Sequence, residues 1–212
     1  MTLDSENLLE SILSSLDRVD YIDLEDIPNI DLYMDQVTTL MEARLSHSKR
    51  YPEDKILTKT MINNYAKNDL LPPPVRKKYS RRHVLMLIFI YYFKNILTIN
   101  DIKKLMSPLA EDYFDKESGI KLEDIYSEIA KFITSETDEI KDFVTSKFKA
   151  SEDAARLAEE DGGDEENQQF LQYFTLICAL SFDAYVKRLM IEKIIDLMPE
   201  PIPRKKRKKD RD

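Results

Sequence analysis

Three consecutive prolines, Pro72 to Pro74, stand between a short amphipathic pattern and a long apolar one. Each proline holds φ near about −65° and lacks a backbone N–H, so no helix can run through all three and no inner strand can contain them. The stretch from Leu57 to Met106 must therefore be assembled from separate pieces. Thr58 is placed to cap a short helix whose inward face carries Met61, Ile62 and Tyr65. Leu70 and Leu71 return to the core, the prolines stiffen the exit, and Ser80 caps a longer apolar helix. Thr98 with Asp101 gives a capping-box start to a third helix holding Ile99, Ile102, Leu105 and Met106, which Pro108 should stop.

Only three glycines (Gly119, Gly162 and Gly163) occur in 212 residues, whereas tight hairpins draw heavily on glycine. The expected fold class is all-α. Asp4 to Leu16 places Leu8, Leu9, Ile12, Leu13 and Leu16 on one helical face with Asp4 as N-cap, and an acidic linker follows to residue 30. Asp31 to Leu45 is a second helix, and Ser46 to Lys55 is a polar loop. Beyond Pro108, Leu122 to Ile133 and Asp138 to Phe148 have helical periodicity. Glu152 to Glu166 holds eight acids, one base and the Gly162-Gly163 pair, which predicts a mobile acidic loop. Gln169 to Met198 is a long helix ended by Pro199, Pro201 and Pro203. The expected organisation is an N-terminal helix and linker (1–30), a helix-turn-helix domain (31–108), a C-terminal helical region (109–198) and a disordered basic tail (199–212).

Several function classes are disfavoured. One cysteine, Cys178, forbids an intramolecular disulfide and suits a reducing cytosol. Asp4 and Glu6 stand where a signal peptide carries bases, so a cytoplasmic location is expected. Val84 to Phe93 is too short to span a membrane, and Phe170 to Val186 contains Gln172 and Asp183, so both read as buried core helices and no membrane partner is expected. Two histidines, His47 and His83, with a single cysteine cannot build a typical zinc site. No glycine-rich phosphate loop, HExxH or G-x-S-x-G motif occurs, so no catalytic residue, metal or cofactor is assigned and no enzyme is expected.

Charge is unevenly placed. The whole chain carries −8, yet Arg44 to His83 holds eleven Lys and Arg against three acids, a local charge of about +8. The tail Arg204 to Asp212 adds seven bases against two acids. A basic patch on an acidic body is a footprint for polyanions. Lys59, Thr60, Asn63, Asn64 and Lys67 can project from the outer side of the short helix, and an Asn amide can pair with adenine in the major groove. Arg76, Lys77, Lys78, Arg81 and Arg82 form a cationic run suited to flanking phosphates, and Arg81, Arg82 and His83 open a helix whose dipole favours the same anions. The same residues also fit a solvated face, with Asn63 and Asn64 as surface amides, His83 at the surface and Tyr65 in the core.

The run Leu57 to Pro73 resembles the MerR-type winged helix-turn-helix regulators. Thr58 takes their capping position, Ile62 an apolar position and Tyr65 an aromatic one. Leu70-Leu71-Pro72-Pro73 match the exit, and Phe89-Ile90 and Thr98-Ile99-Asn100-Asp101-Ile102 match a later stretch. The likeness covers about fifty residues, a quarter of the chain. It departs at Asn63 and Asn64, where the family has Arg and an aromatic, and at Asp69, which replaces a turn glycine. The turn Pro74 to Tyr79 is short for a two-stranded wing, Ser46 to Lys55 looks inserted, and a long dimerisation helix is not evident. The whole chain resembles an uncharacterised group of MerR-like proteins from low-GC Gram-positive bacteria, a domain family of unknown function. The resemblance implies an N-terminal MerR-like helix-turn-helix with a short or missing wing, followed by a C-terminal helical region. It further implies a transcriptional regulator that binds double-stranded DNA, with homodimerisation on two-fold operators. The last helix is the candidate association surface, and burial within its own domain is the other reading. A protein-interaction adaptor that lost DNA binding is the alternative function. The tail serves as a nonspecific nucleic-acid anchor or, by composition alone, a nuclear localisation signal.

Overall fold

The computed structural model describes residues 5–16 and 22–199. The expected cap at Asp4 and the basic tail 204–212 lie outside the described residues. Within them the chain is mostly helical, as glycine scarcity predicts. The helices are α1 (Ser5–Leu16), α2 (Met34–Leu45), α3 (Lys59–Lys67), α4 (Arg81–Phe93), α5 (Ile99–Pro108), α6 (Leu122–Ser135), α7 (Thr137–Glu160) and α8 (Glu165–Leu197). Two short strands interrupt them: β1 (Leu32–Tyr33) and β2 (Lys78–Tyr79) pair antiparallel, Leu32 opposite Tyr79 and Tyr33 opposite Lys78. The second helix therefore begins at Met34 rather than Asp31, because the preceding residues are used in this ladder.

Helix α4 is the axis of the core. Its residues 83–91 are all buried, as a helix apolar on every side must be. Val37, Met41 and Leu45 of α2, Ile62 and Tyr65 of α3, and Ile102 and Met106 of α5 join it in one cluster. That cluster extends past both ends of residues 31–108. Ile22 and Ile27 are buried in it, and so are Leu122 and Tyr126 of α6, with the Tyr126 hydroxyl donating to the Ile22 carbonyl at 2.5 Å. The acidic stretch before residue 31 is thus anchored by its isoleucines, and α6 packs with the N-terminal elements.

Local signals act as their chemistry dictates in most places. Thr58 Oγ1 accepts the Met61 N–H at 3.2 Å, and Thr98 and Asp101 cap each other reciprocally at the start of α5. Helix α3 closes in a Schellman turn. Asp69 takes a left-handed φ of 58°, and the Leu70 N–H reaches back to the Tyr65 carbonyl at 2.9 Å. Asp69 thus fills the glycine position without the glycine.

Two expectations about chain breaks are corrected. Pro108 does not stop α5; the helix runs into it and continues as a π-helical turn, Leu109–Tyr113. A widened turn accommodates the missing N–H and the proline ring. Residues 152–160, expected in a mobile loop, belong to α7, and the connection shrinks to residues 161–164. Val144, Phe148, Ser151 and Ala158 bury one face of α7, and packing of an apolar face outweighs the local acidity. Gly163 is required at the reversal: a Cβ there would sit 2.8 Å from the Ala158 carbonyl oxygen.

Helix α8 is not the buried core helix expected from its composition. It folds back on α7, where Lys147 meets Asp183 at 3.4 Å, and it buries only Gln172, Leu176 and Ile195 fully. Phe170, Phe174, Ile177, Phe182 and Tyr185 are each more than half exposed. Among the described residues no helix is long and apolar enough to cross a membrane.

Candidate nucleic-acid interface

Helix α3 divides cleanly. Ile62 and Tyr65 are buried, while Lys59, Thr60, Asn63, Asn64 and Lys67 are exposed. Positions i, i+1, i+4, i+5 and i+8 follow one side of a 3.6-residue helix, so all five lie in one outward stripe. Lys59 pairs with Asp35 at the start of α2, and both remain in solvent. Asn63 and Asn64 present side-chain amides with both donor and acceptor atoms.

The basic turn has a definite geometry. Val75 and Lys78 exchange both backbone hydrogen bonds, at 3.1 and 2.9 Å, which leaves Arg76 and Lys77 as a two-residue hairpin loop. Both loop residues take left-handed conformations, φ 50° and 64°. That is the type I′ arrangement, in which Asn and Gly are favoured and the Cβ of other residues crowds the backbone. Arg76 and Lys77 are exposed at the tip. Lys78 is half-buried, its ammonium 5.3 Å from the centre of the Tyr33 ring on the paired strand.

Arg81 and Arg82 turn inward, contrary to their expected place among the phosphate contacts. Arg82 donates to Glu123 at 2.8 Å, to the Phe114 carbonyl at 2.7 Å and to the Lys116 carbonyl at 3.2 Å. Arg81 donates to the Leu24 carbonyl. Their guanidiniums fasten the start of α4 to α6 and to the segment before α2. A run of bases in sequence cannot show which members find internal acceptors.

His83 is likewise buried rather than at the surface. Its Nδ1 accepts the Ser80 backbone N–H at 2.9 Å, and its ring sits edge-on between Tyr79 and Phe114, at 5.5 and 4.7 Å between centroids. Burial lowers its pKa below the ordinary 6.5, outweighing the opposing pull of the Pro73 and Pro72 carbonyls and of Asp31 and Asp115. The unfolded chain therefore takes up this proton first as pH falls. The stability His83 contributes is present above about pH 6.5 and is lost as pH drops through its depressed folded pKa. Thermal melts at pH 7.5 and 5.0 should show a loss of stability that is smaller in His83→Phe. An equal loss in both proteins would contradict the assignment.

The two exposed features are linked through α2 and β1. Lys59 at the start of α3 touches Asp35, Asp35 lies two residues after Tyr33, and Tyr33 is the cross-strand partner of Lys78 at the base of the hairpin. Sequence reasoning missed Tyr33 and Asp35, because only the β1–β2 register brings them here. It also missed Lys103 of α5, whose ammonium lies 3.3 Å from Asp69 and adds a cation at the far end of α3. The result is an amide-bearing helix face flanked by cations, a combination that can read base edges and neutralise phosphates.

A family model described as "Domain of unknown function (DUF1836)" matches residues 22–129. This span holds α3, the basic hairpin and the core from Ile22 to Tyr126, and it ends before α7. No curated protein and no solved structure matches the chain.

Proposed function

We propose that this chain, which belongs to the DUF1836 family, is a DNA-binding transcriptional regulator of MerR-like type. Helix α3 enters the major groove, and Arg76 and Lys77 hold flanking phosphate. The observation that carries this reading is the hairpin itself. Two long cationic side chains occupy left-handed positions where Asn and Gly are more stable, on a hairpin linked through β1 and Asp35 to a helix whose outward face is amide and lysine. Stability alone gives no reason for that choice. Lys59, Lys67 and Lys78 supplement the phosphate contacts, and Thr60, Asn63 and Asn64 face the bases. Arg81 and Arg82 serve the fold.

The decisive test is affinity selection of fragmented genomic DNA from the source organism, followed by sequencing. Recovery of discrete loci that share a motif is the expected result. Uniform recovery would leave charge-driven binding only. No recovery would favour the adaptor reading, which draws support from the inward turn of Arg81 and Arg82. On a selected site, Asn63→Ala is expected to relax discrimination at one base pair by about 1–3 kcal/mol. Competition with single-base variants of the site measures this, and unchanged discrimination for both Asn63→Ala and Asn64→Ala would remove base reading from α3.

A further inference from the structure

We propose that the outer face of α8 is a two-fold interface with a second copy of this chain, the two α8 helices packing antiparallel about an axis level with the Ala179–Leu180 bond. This proposal does not depend on DNA binding. It begins from the exposed apolar residues of α8. At 100° per residue, six of the nine large ones, Phe170, Phe174, Ile177, Phe182, Tyr185 and Leu189, fall within an arc of about 140°, while Met190, Ile194 and Leu197 near the C-terminal end lie outside it. Leu176 and Asp183, which face α7 or its side chains, lie outside it.

The six positions are symmetric about the middle of the stripe. When two helices run antiparallel about that axis, Phe170 lies level with Leu189 of the second copy, Phe174 with its Tyr185, and Ile177 with its Phe182. All six apolar residues find an apolar partner, and no other register pairs every one of them. Self-complementarity of this kind is what an isologous two-fold contact requires. The Phe170 and Phe174 rings already stack, 5.8 Å apart and 19° from parallel, so one ridge of the face is ordered before association.

Area and charge point the same way. Four aromatics more than half exposed, with their aliphatic neighbours, offer on the order of 700 Å² per copy. That exceeds the few hundred Å² of apolar patch common on monomers and approaches the roughly 800 Å² per partner of a stable interface. The N-terminal end of α8 is acidic (Asp164, Glu165 and Glu166), whereas its last third carries Lys187, Arg188 and Lys193 against Glu192 and Asp196. In the antiparallel register the acidic end lies level with residues 193–195, where Lys193 meets Glu166, and the helix dipoles oppose favourably. Parallel packing would set the acidic ends together.

Cys178, exposed and unique in the chain, is a built-in probe of the register. The two copies of Cys178 would be offset by only about 4.5 Å along the helices, whereas cysteines placed at residue 192 would be about 37 Å apart. The experiment is sedimentation of the full chain across micromolar concentrations, together with a short bismaleimide cross-linker. A dimer cross-linked through Cys178, but not in Cys178→Ser/Glu192→Cys, is expected. Phe174→Glu and Ile177→Glu should each raise the dimer dissociation constant about a hundredfold or more with helical content and melting unchanged. A monomer at every concentration would overturn the proposal. So would a dimer indifferent to both substitutions, cross-linking at residue 192, or monomers that instead bind lipid vesicles through this face.

Discussion

Replacing Arg76 by Asn and Lys77 by Gly is expected to give a more stable protein that holds DNA less well. The two residues form the loop of a type I′ hairpin with φ of 50° and 64°. A left-handed conformation is strained for side-chain-bearing residues other than Asn and Gly, so the Asn-Gly pair should stabilise the folded state by about 1–2 kcal/mol in total. For a chain of this length that raises the melting temperature by roughly 2–4 °C per kcal/mol. Two exposed cations are lost at the same time. If each meets one phosphate, the slope of log affinity against log salt should flatten by about 1.8, and binding should weaken about 10- to 100-fold at moderate salt. Urea denaturation and binding titrations at three salt concentrations measure the two halves. The opposite signs matter, because a purely structural turn would gain stability with the salt slope untouched. That outcome would remove the hairpin from the proposed interface.

Arg82→Ala should do the reverse, unfolding the protein more easily rather than changing its DNA contacts directly. Arg82 satisfies the Glu123 carboxylate and the carbonyls of Phe114 and Lys116, and both side chains of the ion pair are mostly buried. Removal leaves a mostly buried carboxylate and two carbonyls without their donor, at a cost of about 2–4 kcal/mol. Arg82→Lys should recover only part of this, since one ammonium cannot span three acceptors that a planar guanidinium reaches together. A surface cation used only for phosphate would change stability by no more than about 0.5 kcal/mol. Equilibrium denaturation therefore decides between the inward role and the outward one.

These two sites show how much of the interface was legible in the amino-acid order. The outer stripe of α3 followed from helical periodicity once Thr58 had set the start. The basic run gave no comparable guide, because a count of cations carries no information on acceptors. Arg76 and Lys77 stay in solvent because the Val75–Lys78 hydrogen bonds leave them at a tip. Arg81 and Arg82, a few residues later, sit on the first turn of a helix that is buried from residue 83 to 91 and meet oxygen atoms from Leu24, Phe114, Lys116 and Glu123. Those oxygens lie 32 to 57 residues away along the chain. His83 was misplaced for the same reason: its aromatic neighbour Phe114 is distant in sequence.

By itself the sequence determined the helical class, the caps at Thr58 and Thr98, and the buried face of α3, since each depends on residues within one or two turns. Burial of α4 was expected from its all-round apolar composition and is observed, whereas the same reading of α8 is not. The tertiary structure alone decided which surfaces remained open. Helix α8 is largely apolar from Phe170 to Val186, and composition treats that stretch like α4. Among the described residues, α4 is surrounded by α2, α3, α5 and α6, whereas α8 has α7 as its one extensive neighbour and leaves an aromatic face uncovered. Burial depends on how many elements are available to pack around a helix, and that number is set by the path of the whole chain.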